Sequence, residues 1–311
     1  MTQNNVLQRI DRERPPWVGA ATGDAIRHFA WGIGDNNPLW IDRDHAAASP
    51  WGSLIAPPSF LYAVDETTVA PGHNNLRRVY QSVDWTFYDI VREGTDMKSE
   101  ATLTEEDDSS GSLLQTGRVD FLDGNSRLVA TAMATTMRTD APGTTIEARP
   151  EIRYSGEELE AIERTILSER RQGAEPLYVE DVQAGASPGP LIKGPLSIMD
   201  IVAWSAGAGG AVEPDAELSE GGLPHQCATG PQQVSWIAQA ITDWMGDGGF
   251  LHKLSVNLVS NPVLGSTTTI AGAVEEVRPE SRPHVLLSLN AAGGLGHSMS
   301  KMSSQAHHWA R

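Results

Sequence analysis

DAIRHFAWGIGDNNP, residues 24–38, lies without gaps over DIVAWSAGAGGAVEP, residues 200–214. Asp24 then stands over Asp200, Ala30 over Ala206, Gly34 over Gly210 and Pro38 over Pro214. An internal match of this kind marks a duplicated unit, which sets the architecture. The two copies also continue in parallel. The first leads through a Gly-containing loop to the Pro-started apolar stretch APPSFLYAV (56–64), the second to TGPQQVSWIAQAITDWMG (229–246).

Periodicity fills in the rest of each unit. Ile26, Phe29, Ala30 and Ile33 fall on one helical face, with Thr22 or Gly23 to cap its start. Strands are predicted over VDWTFYDIV (83–91), MKSEATLTE (97–105), SLLQTGRVDFL (112–122) and RLVATAMATTM (127–137), with Asp123-Gly124 as a hairpin turn. The second half repeats the pattern in LHKLSVNLV (251–259), STTTIAGAVEEV (266–277), HVLLSLNA (284–291) and SKMSSQAHHWA (300–310). Each half therefore reads as helix, loop, buried helix and antiparallel sheet. Between them EIRYSGEELEAIERTILSERRQG (151–173) carries the capping box Ser155-x-x-Glu158 and runs to Gly173, predicting a charged surface helix. The expected division is an N-terminal unit over 1–140, a linker over 141–185 and a C-terminal unit over 186–311.

Composition narrows the function. A net charge of -17 argues against nucleic acid and anionic membranes, which need clustered Lys and Arg. No apolar run approaches the roughly 18 residues of a membrane span, and the first residues lack an apolar leader core, so a cytoplasmic protein is expected. A single cysteine, Cys227, rules out an intramolecular disulfide and a Cys-rich zinc site. Gly207, Gly209 and Gly210 complete no G-x-G-x-x-G, and there is no metal-spaced histidine cluster. No metal and no other cofactor are expected.

A sheet wrapped around a long apolar helix is the hotdog arrangement, and two in one chain make a double hotdog of the α+β class. FAWGIGDNNPLWID (29–42), WGSLIAPPSFL (51–61), IKGPLSIMDIVAW (192–204) and GPQQVSWIAQAITDWMGDGGFL (230–251) resemble the MaoC-like acyl dehydratases, with an N-terminal half of the fatty-acid-synthase dehydratase kind. The resemblance implies hydration of a 2-enoyl thioester, or the reverse, on a CoA- or carrier-bound chain. It implies an Asp and a His in a D-x-N-P-x-H loop as acid and base, and helix N–H groups for the thioester oxygen.

Carried over by position, Asp35, Asn37 and Pro38 match that loop, but Trp40 stands where the histidine belongs. Indole exchanges no proton near neutral pH. Trp40 is expected to shape the acyl pocket, with Asp35 either a remnant catalytic group or a loop-stabilising acceptor. In the second half, Glu213 or Asp215 falls in the corresponding loop, with His225 nearby as acid or base; Gly230 before Pro231 opens a helix whose free N–H groups suit a carbonyl. The first half has Pro57 and Pro58 there, which lack N–H groups. His225 and Cys227 also raise a Cys–His nucleophile, against which a lone cysteine reads as a small core residue. Trp85, Tyr88 and Trp236 are candidate pocket walls, His45 an exposed or capping residue, and Arg77, Arg78 and Lys253 candidate phosphate contacts. Three functions stay open: the hydratase or dehydratase, a hotdog repurposed for cyclisation, isomerisation or elimination on a bulky specialised metabolite, and a non-catalytic partner subunit. A homodimer, or a heteromer with another hotdog protein, is expected.

Overall fold

The computed structural model describes residues 8–9, 17–67, 77–108, 112–139, 152–209, 227–279, 283–293 and 298–307. In chain order the strands are β1 (Gln8–Arg9), β2 (Arg77–Phe87), β3 (Met97–Asp107), β4 (Leu113–Asp123), β5 (Leu128–Thr139), β6 (Leu191–Lys193), β7 (Phe250–Leu258), β8 (Thr268–Arg278), β9 (His284–Gly293) and β10 (Ser298–His307). The helices are α1 (Gly23–Gly32), α2 (Pro38–Ile41), α3 (Arg43–Ala48), α4 (Leu61–Val64), α5 (Gly156–Ser168), α6 (Ile198–Ala208) and α7 (Gly230–Met245).

The strands form one antiparallel sheet of order β1-β3-β4-β5-β2-β7-β10-β9-β8-β6. Read from either edge the order is the same with five added to each number, so the duplication in the sequence becomes a pseudo-dyad in space. The dyad runs between β2 and β7, which pair from Ser82↔Asn257 to Thr86↔Lys253. The repeated segments themselves, α1 and α6, pack on each other. A Cβ at Gly207 would lie 2.6 Å from the His28 carbonyl oxygen, and one at Gly32 2.8 Å from that of Ala203, so both glycines are there to let backbones approach. The predicted face of α1, Ile26, Phe29, Ala30 and Ile33, is buried, and Trp204 of α6 packs its ring at 5.8 Å from Phe29.

The two central helices differ. In the second half α7 is buried from Gly230 to Thr242, and some of its polar side chains are answered inside the fold: Ser235 Oγ donates to Pro231 O at 2.8 Å and Gln233 Nε2 to Asn261 Oδ1 at 2.8 Å, while Gln232 Oε1 and Gln239 Oε1 have no partner among the described residues. In the first half the expected long helix is a 3-10 turn, Pro58–Phe60, followed by the four residues of α4. Asp65 ends it in an extended conformation and its carboxylate accepts from Thr67 N at 2.8 Å. The charged helix α5 has its capping box but stops at Ser168, short of Gly173. Its continuation is drawn into tertiary contacts: Glu169 accepts from Ile192 N, and Arg171 reaches Asn36 and Asp243.

Candidate functional site

The loop from Gly34 to Asp42 is built by its own polar groups. Gly34 has φ +66, which turns the chain out of α1. Asp35 Oδ1 accepts from Asn37 N at 2.9 Å, and Asn37 Oδ1 caps α2 by accepting from Leu39 N at 3.0 Å. Trp40 Nε1 then donates to Asp35 Oδ2 at 2.8 Å. Both oxygens of a carboxylate that is 1% exposed are thereby engaged within the loop. The indole supplies the hydrogen bond that an imidazole would supply, without its proton chemistry.

Residues from the second half close over this loop. Lys193 Nζ donates to Ile33 O at 2.9 Å and Gly34 O at 3.0 Å, and Gln239 Nε2 of α7 points at the same Gly34 oxygen at 3.5 Å. Arg171 Nε lies 3.0 Å from Asp243 Oδ1, an ion-pair distance without the alignment of a hydrogen bond, and its guanidinium also donates to Asn36. Burial pushes the Asp35 carboxyl above the usual carboxylate range, against the Asn37 amide, Lys193, the Trp40 indole and Arg171. Burial and then the Asp35 charge push Asp243 up to about 7, and burial pushes the Lys193 ammonium down. Sequence reasoning assigned no role to Lys193, Asp243 or Arg171. The segment IKGP was the one signal, and it spoke for the fold.

Beside the loop is a small pocket. Leu39, Trp40, Pro57, Pro58 and Leu61 of the first half face Thr242, Met245, Phe250 and Leu251 of the second across it. Trp51, Gly246 and Gly249 also line it. Trp40 is therefore a pocket wall, and it stands with Asp35 bonded to its indole nitrogen. Ser59, directly after Pro57 and Pro58, is 3% exposed and its Oγ has no hydrogen-bond partner.

The other expected site residues lie apart from this pocket. Trp85 is core, stacked on Phe87 at 5.3 Å, with its Nε1 donating to Tyr62 at 3.1 Å; Trp236 is core on α7; Tyr88 is 49% exposed beside His252. Each is placed by packing that the local sequence does not encode. Gly230 opens the opposite end of α7, where a Cβ would lie 2.6 Å from the Tyr80 ring. Tyr80 OH there meets Thr67 Oγ1 at 2.7 Å and Tyr62 OH at 3.2 Å, and burial raises both phenols, keeping them neutral. Glu213, Asp215 and His225 lie outside the described residues, as does the side chain of Arg77. Cys227 forms a β-bridge with Val263, with Asn261 Nδ2 3.8 Å from its sulfur. Arg78 and Lys253 are exposed near opposite ends of the β2–β7 ribbon and form no joint cation site. Among the described residues no three His, Cys, Asp or Glu side chains form a metal-type cluster, and no helix is long and apolar enough to cross a membrane.

Comparison with known proteins agrees with this anatomy. Residues 16–132 match the family model for the FAS1-like dehydratase domain region. A UPF0336 protein of Streptomyces griseus is 27% identical over 132 residues, 40% of this chain and 88% of the relative. Another, from Streptomyces avermitilis, is 38% identical over 56 residues, 18% of this chain and 37% of the relative. Among solved structures, a MaoC-like dehydratase superposes with a TM-score of 0.74 at 18% identity, covering 99% of each chain. A MaoC domain dehydratase of Chloroflexus aurantiacus gives 0.70 at 10% identity, covering 98% of this chain and 95% of the other. A Mycobacterium tuberculosis protein described as a double hotdog gives 0.62 at 11%, covering 97% and 96%.

Proposed function

We propose that this chain, which shares its fold with MaoC-like dehydratases and matches the FAS1-like dehydratase region over residues 16–132, hydrates or dehydrates an acyl thioester whose apolar chain lies between Trp40 and the end of α7. The observation that carries this reading is the pocket itself. Its lining is apolar on both sides, with Asp89 and Thr242 among its few polar members, which suits a hydrocarbon chain and offers little to a polar metabolite. Trp40 fits the same reading, since an indole in place of an imidazole gives the chain an apolar wall.

The test is loss of the conjugated thioester absorbance with crotonyl-CoA and trans-2-decenoyl-CoA. The wild type should turn over the longer substrate more efficiently. Met245→Trp should fill the pocket and lower kcat/KM for decenoyl-CoA at least tenfold while changing crotonyl-CoA far less. Equal losses on both substrates, or no turnover of either, would remove the proposal.

A second reading, the scaffold repurposed for cyclisation, isomerisation or elimination on a bulky substrate, draws on one observation. Asp35 has both oxygens engaged and no imidazole beside it, so the loop lacks the family's acid–base pair. Turnover of a non-thioester by a protein inert to both enoyl-CoA substrates would favour it.

A further inference from the structure

We propose that the acid–base pair missing from the Asp35 loop is supplied across the two halves by His45 and Asp247. The inference rests on the hydratase reading and deepens it. His45 lies on α3, five residues beyond Trp40, and Asp247 lies in the Gly-rich turn after α7. His45 Nε2 is 2.7 Å from Asp247 Oδ2, with the carboxylate side chain 4% exposed and the imidazole 30% exposed. Two observations attach the pair to the pocket. Trp51, which lines the pocket, donates its Nε1 to Asp247 O at 2.6 Å, and the residues on either side of the Asp247 turn, Gly246 and Gly249, line it as well, while His45 and Asp247 themselves stand behind that lining. Arg92 further fixes Trp51 by donating to its carbonyl.

The pairing sets the chemistry. A buried carboxylate that accepts from Nε2–H holds imidazole in the tautomer with Nδ1 free to take a proton, and stabilises the imidazolium that results. Among the described residues Nδ1 has no hydrogen-bond partner. In hydration, water gives a proton to His45 Nδ1 as its oxygen bonds the β-carbon of the enoyl thioester, and the double-bond electrons move onto the thioester oxygen. The enolate then collapses and takes the same proton from the imidazolium at the α-carbon. One water is added, and the histidine ends as it began. Asp247 is a positioning residue in this scheme, touching the histidine and not the substrate.

The experiment compares the full-length wild type with His45→Gln, His45→Gly and Asp247→Asn on trans-2-decenoyl-CoA. His45→Gln should lose about 10²–10⁴-fold in kcat with KM within about threefold, the range expected for a positioned acid–base group. Added imidazole should restore part of the His45→Gly rate, a rescue that a merely structural histidine would not show. Near-wild-type kcat in His45→Gln overturns the proposal. If the wild type hydrates neither enoyl-CoA, the hydratase reading falls, and diethylpyrocarbonate labelling mapped by mass spectrometry decides the pair separately. Protection of His45 by decanoyl-CoA, with exposed His28 still labelled, would support an imidazole that serves the pocket. Equal labelling of His45 with and without decanoyl-CoA would overturn it.

Discussion

At position 40 an indole donates to Asp35, which holds the loop in shape, and it exchanges no proton near neutral pH. Trp40→Phe keeps most of the pocket wall and leaves Asp35 Oδ2 without its donor, which should cost about 1–3 kcal/mol in a urea unfolding titration, the usual penalty for an orphaned buried polar group. The neighbouring carboxyls carry a pH signature. Asp243 is raised from 3.8 to about 7, and Asp35 is raised with it, by burial first in both cases. Between these values the folded chain holds a proton that the unfolded chain has released, so this contribution to stability falls as pH rises from about 4 to about 7 and is flat above. The wild-type minus Asp243→Asn difference in unfolding free energy should therefore decrease across that window. A constant difference would show that Asp243 titrates as an ordinary carboxylate.

Among the elements, the contact between α1 and α6 depends on absent side chains. Gly207→Ala gains about 1 kcal/mol of helix propensity. It also places a methyl 2.6 Å from His28 O and 2.9 Å from Phe29 Cα, both backbone atoms with no rotamer to yield. Overpacking of about 1–3 kcal/mol should win, lowering the melting temperature, whereas a solvent-facing glycine would show the opposite sign. Helical periodicity placed α1 and its buried face because that signal is local. It overextended the first-half central helix, because APPSFLYAV (56–64) is apolar enough for a long helix while Asp65 turns away to bond Thr67. The continuation of α5 failed likewise: Glu169 and Arg171 suit a helix and are taken by partners far along the chain.

Across the whole molecule, the β2–β7 ribbon and the α1–α6 contact join the halves into one body. Residues 1–148 and 149–311 produced as separate chains should recover the native far-ultraviolet spectrum only when mixed, eluting together in a 1:1 complex. Each alone would leave a central strand edge, β2 or β7, unpaired. Independent native-like monomers would show that the ribbon adds little.

Legible along the chain were the duplication, α1 with its buried face, most of the long strands and the α+β double-hotdog class, because periodicity, turn residues and a repeat are properties of neighbours along the chain. Only in the folded chain does Trp40 bond Asp35, do Lys193, Arg171 and Asp243 crowd the same loop, and does His45 meet Asp247. Trp40 and Asp35 share one loop, but the other partners lie far apart along the chain, 202 residues in the case of His45 and Asp247, and what brings them together is the burial of two apolar faces across a pseudo-dyad, a constraint that no short window of sequence contains.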